Sequence, residues 1–200
     1  ARERPVGDGR DVTVEVLEEP MASYICIGYL LCRIPDTVED EASIDPMEKT
    51  RLLRIYDDVL DPESGTDAHD FEEAIDPRVP VSEARSDDWD VVANTNRVLR
   101  AFHGLPEDVQ DAIRPSAREL VQGMAMFVER HADTGGLRIR TREELEEYCY
   151  YAAGTVGNLI TDLVTRGDIS RERRDRLHET AESFGLLLQF VNIAKDVHDD

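Results

Sequence analysis

Apolar residues recur three and four positions apart through long stretches of this chain, and no stretch alternates convincingly as a half-buried strand would. The pattern predicts an all-α protein. A polar start, Ala1 to Asp11, is expected to be disordered and leads to an apolar segment from Met21 to Ile34. A helix is expected over Thr37 to Leu60, ended by Asp61-Pro62-Glu63-Ser64-Gly65. Thr66 to Asp87, with Pro77 and Pro80, reads as a loop in which Phe71 to Ile75 forms at most one turn of helix. Asp87 to His103 reads as one helix closed by Gly104, and Pro106 suits the first turn of the next. Pro115 is expected to break or kink that helix before a piece from Ser116 to His131. Asp133 to Gly136 reads as a turn. Thr141 and Glu144 form a capping box for a helix to about Val164, and Ser170 caps a last helix that runs to Asp200.

Length and charge narrow the picture. Two hundred residues, 40% of them apolar, suit one domain with a buried core. The formal charge of −21 repels phosphate backbones and argues against nucleic acid as a partner. Lys49 and Lys195 are the only lysines among 23 basic residues. Acid excess with little lysine predicts adaptation to concentrated salt, where the screening length shrinks to about 3 Å at 1 M. An acidic protein from a GC-rich genome has the same composition. Cys26, Cys32 and Cys149 lack metal spacing and sit in apolar stretches, so buried thiols in a reducing cytoplasm are expected. The start Ala1-Arg2-Glu3-Arg4-Pro5 has no apolar core of a signal peptide, and the apolar run Tyr24 to Cys32 is too short to span a bilayer.

Candidate chemistry appears in three segments. In Tyr29-Leu-Leu-Cys-Arg33-Ile-Pro-Asp36-Thr-Val-Glu39-Asp40, helical spacing puts the three carboxylates on one face. They repel one another there, and a hard cation such as Mg²⁺ would reverse the sign of that interaction. A solvated acidic face has the same pattern. In Gln189-Phe-Val-Asn192-Ile-Ala-Lys195-Asp196-Val-His-Asp199-Asp200, residues Asn192, Asp196 and Asp200 make an oxygen-bearing stripe on an otherwise apolar helix. Burying that stripe without a partner is expensive. Lys195 is placed to meet phosphate oxygen. In Tyr148-Cys-Tyr-Tyr-Ala152-Ala153-Gly154-Thr-Val156-Gly157, two glycines inside a helix point to a close approach, either by another helix or by a ligand. The five histidines share no ligand spacing and read as structural or surface residues.

Taken in this order, RxxDxxED, YCYYxAGTVG and QxxNIxKDxxDD resemble the signatures of the squalene/phytoene synthase family, over about Val16 to Asp200. The resemblance implies an isoprenoid synthase fold: helices around a central cavity, with two facing aspartate-rich motifs. It implies a prenyltransferase that joins two farnesyl diphosphates head to head through presqualene diphosphate to squalene. Phytoene synthase, using two geranylgeranyl diphosphates, is the near alternative, and a non-catalytic scaffold or assembly factor is the distant one. By resemblance, Asp36, Glu39, Asp40, Asn192, Asp196 and Asp200 hold Mg²⁺, or Mn²⁺ in its place. Tyr148, Arg33 and Lys195 are the catalytic group. Tyr29 and Gln189 lie near the diphosphates, and Ala152, Ala153, Val156 and Gly157 lie along the prenyl chain. NADPH is implied if squalene is the product, although no GxGxxG fingerprint is present. The acidic, lysine-poor composition suggests a haloarchaeal member, cytoplasmic or peripherally membrane-associated. The chain departs from the family pattern at Gly7-Asp8-Gly9-Arg10, at Lys195 in place of arginine, and at Pro35 just before Asp36. The family continues for several helices past its second motif, so residues 1–200 read as the N-terminal portion of one domain.

Overall fold

The computed structural model describes residues 17–80, 86–167 and 169–199, and the side chains of these apart from Asn192 and residues 194–199. The polar start, including Gly7 to Arg10, and Asp200 lie outside the described residues. All regular structure among the described residues is helical: α1 Met21–Asp40, α2 Pro46–Leu60, α3 Ala68–Ile75, α4 Asp87–Ala93, α5 Thr95–His103, α6 Glu107–Arg130, α7 Arg142–Cys149, α8 Thr155–Val164 and α9 Arg171–Asp199. A π turn, Tyr150–Gly154, joins α7 to α8.

Helix α6 is the centre of the core. Its apolar positions Val109, Ile113, Ala117, Leu120, Val121, Met124 and Phe127 are all buried, and α1, α2 and α8 pack around it. Leu31, Ile34 and Val38 come from α1, and Leu52, Leu53, Tyr56 and Leu60 from α2. Tyr56 tilts against Phe71 of α3, with ring centroids 5.1 Å apart. Arg118 of α6 grips Asp57 of α2 through two part-buried hydrogen bonds, 2.8 and 3.2 Å long, and ties those helices together. Helix α9 packs on α8 and on the π turn. No helix among the described residues is long and apolar enough to cross a membrane.

Several boundaries differ from those the sequence predicts, each for a local reason. The first helix continues to Asp40, and the second starts only at Pro46. Asp45 caps that start by accepting from the amides of Met47 and Glu48, and Pro46 occupies a position that needs no amide. The segment expected as a loop contains α3. Asp67 and Asp70 form a reciprocal capping box there, and Phe71 and Ile75 are buried. The helix expected over Asp87 to His103 is split at Asn94. The Asn94 amide group and the Thr95 hydroxyl capture the carbonyls of Asp90 and Val92, which ends α4.

Neither internal proline ends its helix. Pro115 and Asp111, whose carbonyl Pro115 leaves without an amide, are both exposed on α6, where water can hydrate that oxygen. Pro35 is buried in α1 and has no amide for the carbonyl of Leu31, four residues back. The hydroxyl of the fully buried Tyr56 donates to that carbonyl at 2.9 Å. The cap of α7 is also a variant of the expected box. Thr141 accepts from the amide of Glu144, but Glu144 accepts from Arg140 and not from Thr141. Cys32 and Cys149 are buried as expected; Cys26 is exposed, because it falls on the outer face of α1.

Candidate active site

The first acidic motif occupies the last turns of α1. Arg33 is the cationic centre of this end: its Nε and one terminal nitrogen make a fork to Asp88 of α4 at 2.8 and 2.6 Å. Its other terminal nitrogen donates to Asp36, one turn further along α1. These bonds, that to Asp88 foremost, push the guanidinium pKa further up, so Arg33 is a permanent cation. The Thr37 hydroxyl donates to the Arg33 carbonyl at 2.8 Å, and Lys49 of α2 donates to the carbonyl of Glu39. The end of α1 is therefore held from two neighbouring helices.

The carboxylates behave as a repelling group. Burial and the charge of Asp40 push the Asp36 carboxyl above its usual range, despite the opposing pull of Arg33. Burial and Asp40 together push Glu39 up to about 7. Among the described residues, no group of three or more His, Cys, Asp or Glu side chains is arranged to hold a metal ion by itself. Mg²⁺ does not require one, since it keeps several waters and uses one or two carboxylates with substrate phosphate. The oxygen donors of Asp36 and Glu39, both pushed up by burial and by the neighbouring Asp40, fit such a hard cation, which would remove the repulsion.

Tyr148 joins this group from α7. It is partly buried; burial first, and then the charges of Glu39, Asp40 and Asp36, push its phenol well above the usual value, so it stays protonated. Phe127 of α6 meets the Tyr148 ring edge-on, with centroids 5.4 Å apart, and limits where that ring can go. The next two tyrosines turn elsewhere. Tyr150 donates to Glu119 of α6 at 2.9 Å; burial and Glu119 raise its phenol to about 12. Tyr151 packs directly on Gly123 of α6, where an added methyl group would fall 2.1 Å from its ring.

Two of the small residues that follow let α9 approach closely on one side. A methyl group at Gly157 would sit 2.8 Å from the Ala181 carbonyl oxygen of α9, and one at Gly185 would sit 2.8 Å from that of Ala153. Ala152, Ala153, Val156 and Gly157 are all half-buried; Ala153 and Gly157 lie at this contact, and Val156 packs against the core. Tyr29 is exposed on α1, two turns from the carboxylates, and Gln189 is half-buried on α9. The backbone of α9 sets Asn192 and Asp196 one turn apart on one face, with Lys195 beside them. The side chains of Asn192, Lys195 and Asp196, and all of Asp200, lie outside the described residues.

The structure thus brings Arg33, Asp36, Glu39, Asp40 and Tyr148 together. It adds Asp88, Lys49 and Phe127, none of which the sequence reading selected. Lys49 had one signal, the scarcity of lysine. Asp88 lies 55 residues from Arg33, and its pairing has no local signature.

A model of the squalene/phytoene synthase family matches residues 4–200. The chain is 30% identical over 188 residues to a probable squalene synthase of Neurospora crassa, covering 94% of this chain and 36% of that protein. It is 27% identical over 186 residues to the presqualene diphosphate synthase of Botryococcus braunii, covering 92% and 41%. The solved structure of TcSQS with the ligand BPH1237 matches with a TM-score of 0.72 and 28% identity, over 94% of this chain and 50% of that one. The chain spans well under half the length of these two curated relatives. A family match over nearly every residue, an all-helical fold shared with TcSQS, and three motifs in the family's order lead to one assignment: this chain belongs to the squalene/phytoene synthase family.

Proposed function

We propose that this chain belongs to a head-to-head prenyltransferase that joins two farnesyl diphosphates into presqualene diphosphate and carries that intermediate on to squalene. The observation that supports it most is the approach of the Tyr148 phenol to the Asp36, Glu39 and Asp40 carboxylates. A proton-holding group and a cation-seeking group then share one mouth. Bound Mg²⁺ supplies the positive charge that turns diphosphate into a good leaving group. Asp36, Glu39 and Asp40 would hold it on one side, with Asn192, Asp196 and Asp200 on the other.

Arg33 presents its guanidinium to phosphate oxygen, which competes with Asp36 for the same donor. Lys195 offers a compact charge without the bidentate fork of arginine. Tyr29 and Gln189 donate hydrogen bonds at the diphosphate, while Ala152, Ala153, Val156 and Gly157 give the hydrocarbon chain a wall with few projections. Loss of one diphosphate leaves an allylic cation, which the alkene of the second substrate attacks; proton loss closes the cyclopropane. The raised pKa makes Tyr148 a donor that orients groups, and leaves released diphosphate as the base. The second ionisation and rearrangement need hydride from NADPH to end at squalene.

The test is incubation with farnesyl diphosphate and Mg²⁺, with and without NADPH, read by mass spectrometry. Presqualene diphosphate without reductant and squalene with it are expected. A forty-carbon product made only from geranylgeranyl diphosphate would replace this reading by a phytoene synthase. No turnover together with no Mg²⁺-dependent binding of farnesyl thiodiphosphate would favour a scaffold.

The charge of −21 and the scarcity of lysine support a further part of the reading, that the protein works in concentrated salt. Helical signal measured against KCl concentration tests it: unfolding on dilution is expected, and full stability in dilute buffer sinks it.

A further inference from the structure

The π turn is the least regular part of the site and lies directly after Tyr148. In it the amide of Thr155 reaches the carbonyl of Tyr150, five residues back. The Thr155 hydroxyl donates to the carbonyl of Tyr151, four residues back, at 2.8 Å. One residue therefore makes both bonds: its amide slips by one position, and its side chain takes the acceptor that the amide has left. Thr155 is fully buried, so no water can take over that role.

An extra residue in a helical turn rotates everything before it by about 100° relative to an unbroken α-helix. Helix α8, after the turn, is fixed by its packing on α1, α6 and α9, with Leu159 and Leu163 buried. Helix α7, before the turn, leans on α9 and on α6 through Arg130–Glu147 and Phe127, and Tyr148 sits on its last turn, so the turn sets its rotation relative to α8. Gly123 receives the Tyr151 ring and Gly185 receives the Ala153 carbonyl, so the wide turn is seated from both sides.

We infer that the π turn is the positioning element of this site: its extra residue aims Tyr148 at the first acidic motif while α8 keeps its place in the core, and Thr155 is the positioning residue that holds it. The use of that aim in catalysis rests on the proposed function; the geometry does not.

Labelling the six tyrosines with 3-fluorotyrosine and assigning Tyr148 by Tyr148→Phe gives a readout that needs no metal, substrate or turnover. In the wild-type chain, Glu39→Gln should move the Tyr148 fluorine resonance. Deleting Ala152 restores an ordinary helical count, and in that variant the response should vanish while the helical circular dichroism persists. Thr155→Val should weaken the response, and Thr155→Ser, which keeps the hydroxyl, should retain it. A folded deletion variant whose Tyr148 still answers Glu39→Gln overturns the inference, and so does a wild-type Tyr148 that never answers. If the deletion prevents folding, the Thr155 pair decides, and equal responses from valine and serine overturn it. Absence of prenyltransferase activity alongside the expected resonances would instead count against the proposed function alone.

Discussion

The two helices that carry the first motif and Tyr148 each lose one regular main-chain bond beside a functional residue, and they repair it differently. In α1, Pro35 precedes Asp36 and leaves the Leu31 carbonyl to the hydroxyl of Tyr56, which is 25 residues away on α2. In the π turn after Tyr148, the Tyr151 carbonyl goes to the hydroxyl of Thr155, only four residues on. Both hydroxyls are fully buried, so neither carbonyl can fall back on water. The remote repair links two helices, and losing it should cost stability. The local repair sets a helical register, and losing it should redirect a side chain. A break in the ladder is thus tolerated where a buried donor stands ready, and the origin of that donor decides what the break controls.

The largest effect that sharpens this contrast belongs to Asp36→Asn. The amide should lower Mg²⁺-dependent turnover by about 100-fold or more, as loss of groups around a metal site does. Its thermal stability should not fall, because burial and Asp40 already disfavour the charged carboxylate. A marked drop in melting temperature would show that the Arg33 pair outweighs them. Next is Gly123→Ala, which drives a methyl group into Tyr151 and should cost about 3 kcal/mol in urea denaturation. Gly28→Ala should cost less, since the methyl meets only the flexible end of Leu159.

Tyr56→Phe leaves the Leu31 carbonyl buried and unpaired, at about 2 kcal/mol. Adding Pro35→Ala returns an amide to that carbonyl and should recover part of the loss, which a double-mutant cycle measures. Additive losses would mean that Tyr56 does not serve the proline gap. The smallest effect concerns the α6 to α7 edge. Arg130 holds the Glu147 carboxyl below its usual pKa. A lowered folded-state value contributes stability above the unfolded pKa, and that stability is lost as pH falls through the folded one. Both groups are largely exposed, so Arg130→Met should cost less than about 1 kcal/mol at neutral pH and nothing in strong acid. A penalty that survives acidification would assign the effect to packing on Phe127.

The helical class was legible because apolar spacing three and four apart persists through almost every element, and the motifs were legible because their residues are neighbours along single helices. The errors fell where side chains compete locally with the helix. Asp45, Asp67 and Asn94 are each short polar residues whose side-chain hydrogen bonds to the backbone reset a boundary, and Asp67 with Asp70 is a readable box in a stretch that Pro77 and Pro80 mark as loop. The two prolines act the other way, since α1 and α6 run through Pro35 and Pro115 without ending. Their cost depends on whether the orphaned carbonyl meets water, as at Asp111, or a hydroxyl from another helix, as at Leu31, and neither is written nearby in the chain.

By itself the sequence determined that this protein is helical and acidic, and that it carries three segments of one family in order, because periodicity, charge and motif spacing are properties of neighbouring residues. Tertiary structure decided which charges meet. It brought Asp88 to Arg33 and Lys49 to Glu39, supplied Tyr56 to Leu31, and widened one turn so that Tyr148 faces the carboxylates. Those outcomes depend on how far each helix is rotated and what packs against it, quantities that no run of adjacent residues encodes.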